Sequence, residues 1–542
     1  MDGLRDPGGI RRPSRTGVFP SVQDAPVAVR LTACRTHTKG NAMPPRDVVV
    51  IGSGAAGGVL AARLARDASR QVLLLEAGPD FADVAAMPQA LRRADAPDAA
   101  TGYDWELQAT ICDGRRGPLT RGKVIGGSTQ VNGAGAVRGI PRDFAEWSAR
   151  GLPQWAWERV LTSYCNLEHD LEFGDAPYHG ATGPLPITRG SGDYGPAMQG
   201  FIDATLGAGH VWSADMNAPG ATGIGPYPSN QRDRVRMSTT VAFLEAARGH
   251  PDLEIRADTT VDRIVLDGTR AIGVAAGGDV LPAAEIIVCA GTPMSPALLL
   301  RSGIGPAGDL TRLGLAVAVD LPGVGANFID QPGAVIPAVP RSGASARDDP
   351  LRRVIARLPQ VPGHPRDDAF YLCLFTGPPP GGGPPLSALM VGDMAMASRG
   401  SVTLASADPA VPPEVDCAFY SAPGDLDRMI AMYRHAWEIA NHTAFSATVD
   451  RFEWIDDALI ADDERLAAAL RGMTFSRINP VGGCAMGPSS DPAAVVDAHG
   501  RVHGVEGLRV ADASILPVPL RAPAALTCMM IGEHLATLMM SE

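Results

Sequence analysis

The segment from Asp47 to Glu76 constrains this chain most. Asp47-Val48-Val49-Val50-Ile51 is a nearly continuous apolar run, the pattern of a strand buried on both faces. Gly52-Ser53-Gly54-Ala55-Ala56-Gly57 follows at once. From Gly58 to Asp67 the residues Val59, Leu60, Ala61 and Leu64 recur at helical spacing. A second apolar run from Gln71 to Leu75 ends in the acid Glu76. Strand, Gly-rich turn, helix, strand and acid, in that order, predict a βαβ unit that binds a dinucleotide. Gly52 permits the turn, Gly54 lets a pyrophosphate approach the backbone, and Gly57 lets the helix lie on the strand. The helix start, with Ala55 and Ala56, offers N–H donors to phosphate, and Glu76 offers a carboxylate to ribose hydroxyls. NAD and FAD both satisfy this pattern, whereas Glu76 would repel the 2′-phosphate of NADP.

Composition narrows the class further. The 542 residues include 62 Gly and 47 Pro, yet 45% are hydrophobic. That combination excludes wholesale disorder and predicts tightly turned loops around a large core. A formal charge of −12 argues against nucleic acid or an anionic membrane as partner. Residues 1–42 run the other way, with a basic excess and no apolar signal segment, and read as a disordered basic extension. Met1 and Met43 both remain as starts of translation. The eight Cys are scattered, with no CxxC pair and no Cys/His cluster of metal spacing. No metal site is expected, and isolated thiols suit a reducing cytoplasm. No run of 18 apolar residues exists to span a membrane.

Along the chain, Ser238–Arg248 reads as a helix. Leu253–Val265, Ala271–Ala275 and Val280–Ile287 read as strands, and Pro423–His442 and Ala524–Met540 as helices. Residues 340–385, with Gly377-Pro378-Pro379-Pro380-Gly381, read as a mobile loop or lid.

Four further segments define a family. They are Arg121-Gly122-Lys123-Val124-Ile125-Gly126-Gly127-Ser128-Thr129-Gln130-Val131-Asn132-Gly133; Gly291-Thr292-Pro293 continuing to Gly305-Pro306; Leu321-Pro322-Gly323-Val324-Gly325; and Arg501-Val502-His503-Gly504 continuing to Ala511-Asp512-Ala513-Ser514. With the βαβ unit they resemble the glucose–methanol–choline (GMC) family of FAD-dependent oxidoreductases. The stretch around Trp155-Ala156-Trp157 and His179-Gly180 is similar to its mycofactocin-associated dehydrogenase branch.

The resemblance implies an α/β fold in two parts. A glutathione-reductase-like Rossmann domain for FAD would comprise 43–155, 216–330 and 476–542. A substrate domain with an antiparallel sheet and helices would comprise 156–215 and 331–475. It also implies that Gly126, Gly127, Ser128, Asn132, Gly133 and Ala134 line the flavin and that Val261 brackets the adenine. Ala290, Gly291, Asp512 and Ala513 would border the pyrophosphate and ribityl chain. The last helix, starting near Ala524, would point its N-terminus at the flavin N1/C2=O edge. Val131 stands where some relatives carry a His bonded to the flavin, so non-covalent FAD is expected.

The implied chemistry is hydride transfer from an alcohol CH–OH to flavin N5, with oxygen, a quinone or a redox carrier as electron acceptor. The catalytic slots break the family pattern. The position of the usual His base is Asn479, and that of its partner is Ala524. An amide neither titrates near neutrality nor acts as general base. His435, His442, Tyr371 and Tyr420 are the substitute bases the sequence offers, while His503 and Cys484 read as structural. The empty slots keep two alternatives open: a photodecarboxylase- or lyase-like flavoenzyme, and a weakly catalytic flavin-binding protein.

Overall fold

The computed structural model describes residues 46–67, 70–94, 100–190, 192–344, 354–359, 370–377 and 386–542. The expectations for residues 1–42 lie outside these.

The βαβ unit forms as its pattern requires. The strand Arg46–Ile51 is followed by the helix Ala55–Leu64 and the strand Val72–Leu75. Both strands are apolar because both faces are covered: Val49, Val50, Leu73 and Leu74 are fully buried. Each such side chain contributes about 1.5–3 kcal/mol through burial. They sit in a sheet of order Leu253–Arg256, Val72–Leu75, Arg46–Ile51, Asp279–Val288, with Leu508–Val510 also parallel to the last of these. The first half of Asp279–Val288 instead pairs antiparallel with Arg270–Ala276, which pairs with Val261–Asp267. The result is a five-stranded parallel sheet continuing into an antiparallel meander.

The apolar stretch Leu253–Val265, expected as one strand, is two. Its halves lie at opposite ends of the sheet, and Asp258, with φ +49°, turns the chain between them. The expected helix Ser238–Arg248 contains a π-helical turn, Thr240–Leu244, before the short helix Glu245–Ala247.

A second, wholly antiparallel sheet has the order Val449–Phe452, Pro332–Pro340, Leu386–Asp393, Phe370–Gly377, Val354–Leu358, Gly223–Pro226, with Phe475–Ser476 also beside Pro332–Pro340. Two of these strands correct the expected lid over 340–385. Val354–Leu358 and Phe370–Gly377 are interior strands, and Val354, Ala356, Leu358, Phe370 and Leu372 are fully buried. Loop composition on either side of them hid short apolar runs that this sheet needs. The Pro/Gly run 378–385 itself lies outside the described residues. Gly223–Pro226, expected in the cofactor part, is hydrogen-bonded into this second sheet.

The helix Asp425–Asn441 packs on the second sheet, anchored by a buried ion pair from Arg428 to Asp393 (3.1 Å). The helix Ala524–Met540 packs on Ala55–Leu64. Among the described residues no helix is long and apolar enough to cross a membrane.

Candidate active site

An open cleft lies at the C-terminal ends of the parallel strands, bordered by Ile51, Leu75 and Cys289. Its position follows from the fold, because ligands of doubly wound sheets bind beyond the carboxyl ends of the strands.

Two helix N-termini converge on this cleft. Ala55 and Ala56 begin one helix, and Ala524 and Ala525 begin the other; all four border the cleft. Neither Gly54 nor Pro523 supplies a side-chain cap. First-turn N–H groups and the positive ends of two helix dipoles therefore face one space.

The glycine turn is shaped by contact. Gly52 has φ +98°, and a Cβ there would lie 2.5 Å from the Cys289 carbonyl oxygen. A Cβ on Gly57 would lie 2.0 Å from the Gly52 carbonyl oxygen. Glu76 locks the turn from the next strand. It accepts from the Ser53 N–H (3.0 Å), the Ser53 Oγ (2.6 Å) and the Gly78 N–H (3.0 Å). Ser53 Oγ in turn accepts from the Gly126 N–H (2.8 Å), which joins the first glycine loop to the second. Burial raises the Glu76 pKa, and those hydrogen bonds oppose the shift.

Asp512 performs a similar closure. Its carboxylate accepts from the Gly291 N–H (2.8 Å), Ser295 Oγ (2.5 Å) and the Ser514 N–H (2.8 Å).

The two residues expected in the family's His slots meet. Asn479 Oδ1 accepts from the Ala524 N–H (3.3 Å), so the amide caps the last helix from a neighbouring segment. Its Nδ2 donates to Gln331 Oε1 (3.1 Å) and the Arg477 carbonyl (3.1 Å). Gln331 Nε2 then holds the carbonyls of Leu520 and Ala522. The second sheet sets this position. Phe475–Ser476 pairs with Pro332–Pro340, and the Asn479 N–H donates to the buried Asp330 (3.1 Å). Burial raises the pKa of Asp330, with Ser476 and nearby backbone donors opposing it.

Of the residues expected at the cofactor, fifteen border the cleft. They are Gly52, Gly54, Ala55, Ala56, Glu76, Gly127, Ser128, Asn132, Val261, Ala290, Gly291, Asp512 and Ala513, with Asn479 and Ala524 at the expected catalytic end. Four do not. Gly57 is the packing contact just described. Gly126 is buried with Thr240 Oγ1 where its Cβ would stand, and it holds Ser53. Gly133 is exposed outside the cleft. Ala134 is buried at φ +52° and bonded to the Asn132 side chain and the Asn230 N–H. These four shape the loops, and their neighbours form the surface.

The expected substitute bases are absent from the cleft wall. Tyr371 is buried, bonded to Arg357 and the Arg521 carbonyl, and Tyr420 bonds Thr474. His435 pairs with His210 (2.8 Å), and His442 accepts from the Ala444 N–H. His503 meets the Gly487 carbonyl and Cys484 is buried, as structural residues.

The cleft wall also holds residues to which the sequence assigned no role: Trp105, Arg121, Arg301, Ile478 and Cys528. Arg121 stands in the quoted Arg-Gly-Lys motif, which was the available signal. Burial raises the Cys528 thiol to about 12, so it stays protonated. Arg301 is buried, and its Nε has no protein partner, an orphaned donor that a phosphate or adenine nitrogen would satisfy. This orphan, the Cβ-free turn and the paired helix starts fit FAD. Among the described residues, Glu168, Asp170 and His179 have metal-ligand spacing, but Arg138 and Arg189 already pair with both carboxylates.

Comparison with known proteins identifies this architecture. The GMC oxidoreductase N-terminal family model matches residues 46–333, and the C-terminal model matches 397–532. The chain is 34% identical over 515 residues to an uncharacterized GMC-type oxidoreductase of Rhodococcus erythropolis, covering 92% of this chain and 98% of that protein. It is 34% identical over 536 residues to an oxygen-dependent choline dehydrogenase of Pseudomonas aeruginosa, covering 90% and 94%. Pyridoxine 4-oxidase from Mesorbium loti superimposes with TM-score 0.84 at 27% identity, covering 92% and 99%. The cleft and fold are those of a flavoprotein oxidoreductase, and the chain belongs to the GMC oxidoreductase family. Its cofactor is FAD, and it oxidises CH–OH donors.

Proposed function

We propose that this chain oxidises a neutral or anionic small alcohol, with FAD held without a covalent link. The observation that carries the donor class is the cleft wall itself. Arg121 borders it beside Ile478 and Asn479, and among the described residues no carboxylate other than Glu76 and Asp512 borders it. A cationic donor would meet a guanidinium and no free acid at that end. FAD, when bound, supplies the acceptor for the two electrons of the C–H bond.

The protein groups divide the remaining work. Gly52, Gly54 and the N–H groups of Ala55 and Ala56 receive the pyrophosphate, and Glu76 meets the ribose while locking Ser53. The start of the last helix, with Ala524 and Ala525, stabilises negative charge on the bound ring system. Asn479 orients that helix start through Ala524 and does not take a proton, since its amide does not titrate. Val131, half-buried, offers no nucleophile for a flavin bond.

Acid precipitation of the purified holoenzyme tests the cofactor reading: all flavin is expected in the supernatant, and flavin left on the protein would refute it. Dye-linked turnover with matched cationic, neutral and anionic alcohols tests the donor class. Carbonyl product from neutral or anionic donors is expected; turnover confined to cationic donors would refute it. Replacing the dye with oxygen or a quinone assigns the acceptor.

A further inference from the structure

Resting on the CH–OH reading above, we propose that Arg121 is the cationic group of the reaction centre, holding the donor oxygen as it becomes an alkoxide. The neutral slots create the need. Asn479 has its Oδ1 and both Nδ2 donors engaged by protein, and Ala524 has no polar side-chain atom. Cys528 remains a thiol. At this end of the cleft Arg121 is the charged side chain in the wall.

Arg121 is held for that task on three sides. Its backbone N–H donates to Asp104 (2.6 Å), its Nε to the Thr120 carbonyl (2.6 Å), and its Nη2 to the Ile478 carbonyl (2.6 Å). Nη1 makes no hydrogen bond to a described residue, and Arg121 borders the cleft. Ile478 presents its carbonyl from φ +64°, a strained conformation for a β-branched residue, directly before Asn479. The strain is retained where one carbonyl fixes a guanidinium. Burial lowers the pKa of Arg121, and Asp330 and Asp104 oppose this through space without an ion pair among the described residues.

In the step, the donor O–H breaks and its proton leaves to water in the open cleft. The carbon's hydrogen would leave as hydride, for which bound FAD would supply the two-electron acceptor, and the donor would become a carbonyl. The guanidinium binds the oxygen most strongly while it is anionic, which is the condition for lowering a barrier.

The test uses the holoenzyme and two readouts. The first is binding of benzoate, a carboxylate that mimics the anionic oxygen, followed by the visible flavin spectrum. The second is anaerobic flavin reduction by a neutral alcohol. Arg121→Met is expected to keep FAD and melting temperature, to weaken benzoate at least tenfold, and to slow reduction by about 10²–10³-fold. Its reduction rate should then rise with pH across the range where the wild type is flat. Arg121→Lys should recover part of both. If Arg121→Met does not fold, Arg121→Lys and the salt dependence of benzoate binding to the wild type carry the test. Benzoate binding that is absent in the wild type or unchanged in the variants, or loss of FAD from Arg121→Met, would overturn the proposal. A wild type that binds benzoate through Arg121 but is reduced by no alcohol would refute the donor reading alone.

Discussion

At the scale of single residues, the chain has replaced titration with geometry. Asn479 occupies a slot where a base is expected and spends its hydrogen bonds on Gln331, Arg477 and the helix start at Ala524. Asn479→Ala removes a helix cap and strands the buried Gln331 oxygen. It is expected to destabilise the fold by about 1–3 kcal/mol, measured by urea unfolding. Ile478→Gly relieves the left-handed strain and is expected to leave stability equal or higher. It should also loosen Arg121, seen as slower anaerobic reduction. The reading of Asn479 as a substituted slot rests on the surrounding Gly-rich segment, which sets the register in the sequence. The role of its amide as a cap was not legible there, since Ala524 lies 45 positions away and only the fold joins them. Ile478 was invisible for a related reason: nothing in a sequence marks a β-branched residue at positive φ.

At the scale of elements, the first βαβ unit was read nearly residue by residue, because two-sided burial leaves a strand no polar positions and the turn has no room for side chains. Gly57→Ala tests that packing. Its Cβ would fall 2.0 Å from a backbone oxygen, so the helix must shift. The expected result is loss of bound flavin, measured as the ratio of flavin to protein absorbance, together with a lower melting temperature. Where burial is set by distant partners, the reading failed. Val354–Leu358 and Phe370–Gly377 sit among loop-forming residues, and only the second sheet reveals them as interior strands. Leu253–Val265 failed similarly, since its pattern continues through a crossing of the sheet at Asp258.

At the scale of the molecule, buried charge ties the segment at Arg138 to the segments beneath it. Arg138 pairs with Glu168, His179 bridges Glu168 (2.6 Å) and Asp215 (2.8 Å), and Arg189 holds Asp170 and Asp215. The three buried acids outnumber the two arginines, one of which Glu172 shares at the rim, and His179 sits between them as the remaining basic group. Burial disfavours its cation, but the bonds to Asp215 and Glu168 win and raise its pKa. Asp215, held by His179 and Arg189 against the cost of burial, is lowered to about 2. A raised folded pKa stabilises fully below the unfolded value of about 6.5 and is lost as pH rises through the folded value. His179→Ala is expected to cost about 3–5 kcal/mol in urea unfolding at mildly acid pH, and the gap to wild type should narrow as pH rises. The network also reaches the segment that follows the second glycine loop, since Asn217 beside Asp215 bonds the Arg138 N–H and the Ala136 carbonyl. Among the described residues, the Asn479 end of the cleft carries no carboxylate or imidazole to act as base, and alcohol oxidation there proceeds without one. Anaerobic mixing of the holoenzyme with a neutral alcohol and its α-deuterated form tests it most directly. Bleaching of the visible flavin absorbance in the dark, one carbonyl formed per flavin, and a slower rate with deuterium are expected. A flavin that stays oxidised across the alcohol panel, or bleaches only under blue light with release of carbon dioxide from a fatty acid, would contradict it.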